Sequence, residues 1–251
     1  MSSLNVTIAI WIAVLASGLI GLVLAKLLPI EHTSDRSRDI LGGVIGLVGL
    51  LLALVLGLMI WTGYGVTQTQ KTELQLLCAR ALEFDLELKQ FGPEADNARQ
   101  MLRTELVWAH EQFWGEGQAQ TDAFRVTYNN MASMSETLTG LKPQTDRQRQ
   151  LLGAAGLHYS QIGETRLLMT LQLSDPVSWP LLWMVVSWCC MLFMGYGVLS
   201  RANGTTIVTL FLGAGAIASS IFLILALSQP YTSAFKLDPG LLEQTILDVG
   251  Q

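Results

Sequence analysis

Residues 40–70 read ILGGVIGLVGLLLALVLGLMIWTGYGVTQTQ and contain no charged side chain. Roughly 20 apolar residues suffice for a helix to cross about 30 Å of hydrocarbon. Three more uncharged stretches of sufficient length occur at 1–25, 176–200 and 202–235. The sequence therefore predicts four membrane-spanning helices, at about 8–28, 40–64, 177–199 and 205–227.

The composition excludes several other classes of protein. Of the 251 residues, 51% are hydrophobic and 14% are charged, whereas about a quarter of the residues in a soluble domain are charged. The formal net charge of −5 argues against a nucleic-acid partner, because no basic surface is available to bind phosphates. Three cysteines, Cys78, Cys189 and Cys190, are too few for a secreted disulfide scaffold and are interpreted as packing residues.

Residues 68–175 differ from the rest of the chain, because they hold 24 of its 35 charged residues. Their apolar residues follow a helical period, beginning with the stripe Leu74, Leu77, Ala81, Phe84, Leu88 and Phe91. No Gly or Pro interrupts 66–91, so the second span is expected to continue directly into this stripe, with further helices to Trp114 and at 121–138 and 145–173.

The predicted fold is therefore an all-α integral membrane protein with four transmembrane helices and a helical-bundle insert between the second and third. The predicted segments are 1–66 (the first two transmembrane helices), 67–175 (the extramembrane insert), 176–228 (the last two transmembrane helices) and 229–251 (a C-terminal tail).

Candidate catalytic and metal-binding residues are few. None of His32, His110 and His158 has a second His or Cys three or four residues away, as a helical metal site requires. His32 is interpreted as a solvated loop residue and His158 as an interior or interface polar residue. We expect no metal, no cofactor and no enzymatic activity.

Apart from Lys26 near the end of the first, the predicted spans contain no Asp, Glu, Lys, Arg or His. Proton relays and cation carriers usually place ionisable groups at the middle of the membrane. The sequence therefore disfavours both, but it leaves open an anion pathway built from backbone and hydroxyl donors.

Small residues recur on two of the predicted spans. Gly42, Gly46 and Gly49 lie on one side of the second span, and Gly215 and Ser219 lie on the fourth. Small residues let membrane helices approach closely. Two interpretations remain open: the helices pack within one subunit, or they pack in an oligomer in which the second span lines a central axis.

A second repeated face of the same span consists of Leu50, Leu54, Gly57, Trp61 and Tyr64. These residues are candidates for a pore, because a row of apolar side chains can gate a channel by dewetting. The same pattern is also typical of lipid-facing leucines that end in an aromatic belt.

The layout and several short motifs resemble the bestrophin-like family of bacterial and plant membrane proteins. The resemblance rests on residues 42–50 and Leu56-Gly57, on Trp61 and Tyr64 followed by Glu73, and on the tail motifs at 225–231 and 236–239. It implies a relation to oligomeric anion channels, with Leu50, Leu54 and Trp61 as candidate neck positions.

The functional hypothesis is an oligomeric channel-like membrane protein that conducts small anions through a pore lined by the second span. The alternative is a non-conducting membrane subunit or scaffold whose helical insert binds a protein partner. The expected partners are the lipid bilayer, other copies of the chain in a homo-oligomer and a possible protein at the insert, with no nucleic acid.

The expected location is a bacterial inner membrane, and the orientation follows from basic residues in short loops. Lys26 lies at the end of the first span, Arg36 and Arg38 lie between the first two spans, and Arg201 lies between the last two. The positive-inside rule places these loops in the cytoplasm and therefore the insert and both termini outside it. The family resemblance implies the opposite, a cytosolic insert.

Cysteine labelling distinguishes the two orientations. A membrane-impermeant maleimide applied to intact cells should label a Ser135→Cys variant in the insert and leave a Ser37→Cys variant in the first short loop unlabelled. The opposite pattern, with Ser37→Cys labelled and Ser135→Cys protected, would place the insert in the cytoplasm.

Overall fold

The computed structural model describes residues 3–27, 35–115, 120–174, 178–231, 233 and 235–250. Within these residues the protein is helical and contains no strand, which confirms the predicted all-α class. A single 3-10 turn, Pro93–Ala95, precedes the third helix. The helices are α1 (Ser3–Leu27), α2 (Asp35–Phe91), α3 (Asp96–Trp114), α4 (Gln120–Gly140), α5 (Asp146–Ser174), α6 (Trp179–Leu199), α7 (Gly204–Leu227) and α8 (Gly240–Asp248).

Helices α1, α2, α6 and α7 are long and apolar enough to cross a membrane, as the sequence predicted. Helix α2 has 57 residues and is therefore about 85 Å long at 1.5 Å per residue. That length is almost three times the thickness of the hydrocarbon core. Only part of α2 can therefore be a membrane span.

The chain divides into two compact units. The first, called here the membrane unit, comprises Met1–Gly65 and Val177–Ser228. The second, the insert unit, comprises Val66–Pro176 and Gln229–Gln251. The C-terminal tail, which the sequence suggested as a segment of its own, is grouped with the insert.

In the membrane unit, glycines allow α1 and α6 to pack with their backbones in contact. A Cβ atom added to Gly197 would collide with the carbonyl oxygen of Gly18 and lie 2.8 Å from the amide nitrogen of Leu22. A Cβ atom on Gly21 would collide with the carbonyl oxygen of Met194. Such close approach strengthens helix association where no hydrophobic effect operates between helices.

The insert unit has its own core, and the stripe predicted on α2 is buried in it. Leu77, Ala81, Phe84 and Leu88 are fully buried, and Leu102 and Leu106 of α3 pack in the same cluster. Helix α2 ends at Phe91, and the next residue, Gly92, has a φ of 129°, in the region that favours glycine. Pro93 then starts the next turn, as the sequence indicated.

Helix α8 is an element that the sequence analysis did not predict. It has nine residues, and it buries Leu242 and Thr245. Leu242 and Val249 belong to the core of the insert unit. The tail is therefore part of that core rather than an extension from it.

The contact between α1 and α6 can be tested with Gly197→Ala. The added methyl group meets only backbone atoms, so relaxation is costly, and we expect a loss of about 1–3 kcal/mol with a lower midpoint of thermal unfolding in detergent. Gly43→Ala is the matched control, because no described atom lies within 4 Å of the added group and alanine favours a helix. Equal midpoints for the two variants would contradict the close approach.

Candidate functional site

The pore candidates of α2 lie on a surface of that helix, here called the outer face of α2, that the other described residues leave uncovered. Leu50 is 72% exposed, and Leu54 and Trp61 are each 70% exposed. Gly57 and Tyr64 are also exposed. The side of α2 that packs in the membrane unit instead carries Ile45, Leu52 and Met59.

Trp61 and Tyr64 contact each other at the end of the outer face of α2. Their ring centroids are 6.2 Å apart and the planes are inclined by 35°. The two aromatic residues therefore form one exposed patch next to the leucines. The structure places all five pore candidates on one side of a single helix, and their role as a pore stays a prediction.

The three small-residue candidates of α2, Gly42, Gly46 and Gly49, make no close helix contact within the described residues. No described atom lies within 4 Å of a Cβ atom added to Gly42 or Gly46, and Gly49 is 4.0 Å from the hydroxyl of Tyr196. Gly42 and Gly46 thus leave a bare strip of backbone on the surface of α2. Their role in helix packing stays a prediction, and the packing partner would be a helix of another molecule.

The small residues of α7 line a groove in the membrane unit. Gly215 and Ser219 face residues of α1 that include Thr7 and Trp11, across a groove of about 330 Å³. The indole nitrogen of Trp11 lies 3.8 Å from a Cβ atom placed on Gly215. Gly215 and Ser219 thus border a groove between α1 and α7.

In the insert unit, four side chains form a continuous chain of hydrogen bonds, here called the amide chain. The Tyr231 hydroxyl donates to Gln70 Oε1 at 2.9 Å, Gln70 Nε2 donates to Gln172 Oε1 at 2.8 Å, and Gln172 Nε2 donates to Glu73 Oε1 at 2.8 Å. Each donor points toward Glu73. Hydrogen bonds aligned in this way polarise and strengthen one another.

The carboxylate and a backbone carbonyl set the direction of the amide chain. An ionised Glu73 only accepts hydrogen bonds, so Gln172 has to present its nitrogen to it. Gln70 Nε2 also lies 3.4 Å from the carbonyl oxygen of Met169, which likewise only accepts. Gln70 Oε1 is therefore left for the Tyr231 hydroxyl.

Burial affects the titration of both ends of the amide chain. It raises the pKa of the Glu73 carboxyl, and the hydrogen bond from Gln172 acts in the opposite direction. Burial, together with the charge of Glu73, raises the pKa of Tyr231. The Tyr231 hydroxyl therefore stays protonated at physiological pH and is available as a donor.

Aromatic residues hold the start of the tail against α3. The ring of Tyr231 stacks on Phe113 with centroids 4.9 Å apart, and it meets Trp114 edge-on at the same separation. The indole nitrogen of Trp114 donates to the carbonyl oxygen of Leu237 at 2.9 Å. Tyr231 is thus fixed by its ring as well as by its hydroxyl.

A second polar cluster lies inside the insert unit. Glu105 accepts hydrogen bonds from the Tyr159 hydroxyl at 2.8 Å and from Arg166 Nη1 at 3.2 Å, and all three side chains are buried. The Arg166 guanidinium carbon lies 5.4 Å from the ring centre of Trp108. Burial raises the pKa of Glu105 and lowers that of Arg166, while the charge of each group favours the ionised form of the other.

A third cluster holds the other end of the tail. Arg99 Nε and Nη2 donate to the two carboxylate oxygens of Asp85 at 2.9 and 3.1 Å. The backbone amide of Gly250 donates to Asp85 Oδ1 at 3.2 Å. The tail is therefore bound by hydrogen bonds at Tyr231 and at Gly250.

The two described histidines pair with carboxylates. His158 lies 3.1 Å from Glu87 and 3.5 Å from Glu83 through its two different ring nitrogens. His110 lies 3.3 Å from Glu243 and stacks on Trp114. Among the residues that the structure describes, no three His, Cys, Asp or Glu side chains form a metal-binding group, and His32 lies outside the described residues.

The sequence analysis quoted Glu73 and Tyr231 only as parts of short motifs, and it missed Gln70 and Gln172. Tyr231 and Gln70 are 161 residues apart, and Gln70 and Gln172 are 102 apart. Glutamine is usually exposed, so a glutamine in register with the buried stripe of α2 was an available signal. Gln70 precedes Leu74 by four residues and has that register.

Comparison with known proteins gives one match. A family model described as a Bestrophin-like domain covers residues 12–241, which is nearly the whole chain. No curated protein and no solved structure matches the chain. The matched region covers most of both units and ends two residues into α8.

The amide chain predicts the effect of removing one oxygen atom. Tyr231→Phe keeps the stacked ring but leaves Gln70 Oε1 buried without its donor, which should cost about 1–3 kcal/mol. Tyr128→Phe is the matched control, because Tyr128 is exposed on α4. The measurement is thermal unfolding in detergent. Equal midpoints for the two variants would show that the hydrogen bond from the Tyr231 hydroxyl to Gln70 does not stabilise the attachment of the tail.

Proposed function

The chain belongs to the bestrophin-like family, and on that premise we propose that it is an oligomeric channel that conducts small anions, with α2 lining the pore. The family is known for channels, and the helices of this chain are those of a membrane protein. The observation that carries the proposal is the outer face of α2, which is apolar, uncharged and not covered by any other part of the chain that the structure describes.

The chemistry of the outer face of α2 suits a hydrophobic gate. Leucine side chains at Leu50 and Leu54 would surround a narrow section that water enters only when the section widens. Several copies of α2 around one axis would produce such a ring. The bare backbone at Gly42 and Gly46 would allow these helices to approach closely at one end.

The absence of charge along the predicted span favours anions over protons or metal cations as the permeating species. Residues 40–70 offer no carboxylate that could replace the hydration shell of a cation. A small anion can instead be stabilised by hydroxyl, indole and backbone N–H donors. Tyr64 and Trp61 supply two such donors at the end of the outer face of α2.

We also propose that the protein acts without catalysis, in a bacterial inner membrane, with the insert and termini outside the cytoplasm. The loop charges support this orientation. A non-conducting membrane scaffold is the second candidate, because the insert unit exposes several leucines at which a protein partner could bind.

Flux measurements on purified protein in liposomes test the channel. We expect chloride efflux from liposomes containing the protein, and Leu54→Ala should increase it severalfold because a smaller side chain widens the constriction and favours wetting. Trp61→Ala should alter the efflux in the same assay.

Leu212→Ala is the matched control, since Leu212 is a similarly exposed leucine on α7 and lies off the outer face of α2. It should leave the efflux unchanged. If the unmodified protein passes no anion, or if Leu54→Ala and Leu212→Ala behave alike, the proposed pore is wrong.

A further inference from the structure

Within the insert unit, six leucines of α2 and α5 are exposed although the unit has a well-formed core elsewhere. Their exposure lies between 40% and 57%. Three belong to α2 and three to α5, and together they are called here the leucine face: Leu76, Leu82, Leu86, Leu157, Leu168 and Leu171.

Helices α2 and α5 lie side by side and antiparallel. Gln70 bonds to Gln172, Arg80 donates to the carbonyl oxygen of Gln161, and His158 contacts Glu87. Along these three contacts the residue numbers rise on α2 and fall on α5, so the two helices run in opposite directions. This polar seam separates the buried core on one side of the two helices from the leucine face on the other.

Five of the six leucines, all but Leu76, lie on rows with the spacing of helices that pack on other helices. On α2 the exposed positions Gln68, Thr72, Gln75, Ala79, Leu82 and Leu86 are separated by alternating steps of four and three, and none is charged. On α5 the same steps connect Leu157, Gln161, Glu164, Leu168 and Leu171. Sustained steps of this kind are typical of coiled-coil contacts.

The extent of the leucine face is that of a protein interface. With the areas typical of large apolar side chains, six half-exposed leucines present on the order of 500 Å². The neighbouring glutamines and threonine of α2 bring the total toward the roughly 800 Å² that each partner contributes to a standard interface. Exposed apolar patches of several hundred Å² are often functional.

A second copy of the chain fits this surface better than a lipid surface does. Surfaces that bind lipid headgroups carry lysines and arginines, whereas the α2 positions are uncharged and the single charge of the α5 positions is Glu164. If the copies are related by a rotation about an axis parallel to α2, corresponding residues of all copies lie at the same height along that axis. Such a rotation would therefore bring Glu164 of one copy to about the level of Ala79 of the next, where the α2 row carries no charge.

We propose that the leucine face is buried between copies of this chain, with α2 of one copy beside α5 of its neighbour. The proposal rests on the oligomeric state assumed in the proposed function, and it names the surface that holds the oligomer together outside the membrane. Each copy supplies both helices, so contacts of this kind can repeat around a closed ring.

Disulfide crosslinking between two differently tagged copies tests the contact. One full-length copy carries Leu86→Cys, and the other, expressed in the same cells, carries Leu157→Cys. These positions lie at one level, next to the contact between His158 and Glu87. After mild oxidation we expect a dimer band that carries both tags, because disulfides form when two Cβ atoms come within about 4.5 Å.

The matched control pairs Leu86→Cys with Val107→Cys, an exposed apolar position on α3 that lies off the leucine face. Cys78 and Cys189 are buried, and unmodified copies give the background. A two-tag band from the control pair and none from the Leu86–Leu157 pair would overturn the proposal.

A second measurement is independent of crosslinking. Leu82→Glu combined with Leu168→Glu should lower the mass of the protein in detergent, measured by light scattering, with an unchanged helical circular dichroism spectrum. Val107→Glu should leave the mass unchanged. An unaltered mass for the double variant would contradict the proposal.

These outcomes are separable from the channel hypothesis. A two-tag disulfide without chloride efflux would leave the leucine face as an interface and reject the pore. Chloride efflux without the disulfide would support the pore and reject this interface.

Discussion

Helix α2 is the constraint on which the rest of the structure depends. Its 57 residues form one hydrogen-bonded ladder, so the angular position of every side chain on it is set by residue number. In the membrane unit that order turns Ile45 and Leu52 inward and Leu50 and Leu54 outward. In the insert unit it turns Leu77 and Phe84 into the core and Leu82 and Leu86 out of it. Within each unit, the packed and the uncovered surfaces of α2 are two sides of the same ladder.

The polar groups of the insert unit have a different role from its apolar core. Burial of leucine and phenylalanine is non-directional and allows many arrangements. The amide chain and the Asp85–Arg99 pair have definite donors and acceptors, and a displaced partner leaves a buried group unpaired. These contacts therefore select one arrangement of α2, α5 and the tail among those that the apolar core would permit.

How far the sequence predicted the structure depended on the range of the contacts involved. The stripe from Leu74 to Phe91 was recognised because a helical period is local, and each of its residues is buried. The small-residue rule drew attention to Gly42 and Gly46, whereas the closest helix contact lies at Gly18, Gly21 and Gly197, which the same rule applied to α1 could have indicated. The partner of Tyr231 could not be found in this way, since no local pattern connects it to Gln70. Helix α8 was missed because nine residues that bury only Leu242 and Thr245 give a weak pattern.

The double attachment of the tail has a consequence for local unfolding. Segments near a chain terminus usually fray, and their amide protons exchange with solvent much faster than those of a core. Here Tyr231 is bound by ring and hydroxyl, Leu242 and Val249 lie in the core, and Gly250 bonds to Asp85. Release of Tyr231 or Gly250 would leave a hydrogen-bonding partner unpaired, and release of Leu242 or Val249 would expose apolar surface, while the other attachments still held. The tail and the insert should therefore open as a single cooperative unit, with hydrogen exchange as slow in α8 as in the helices that it covers.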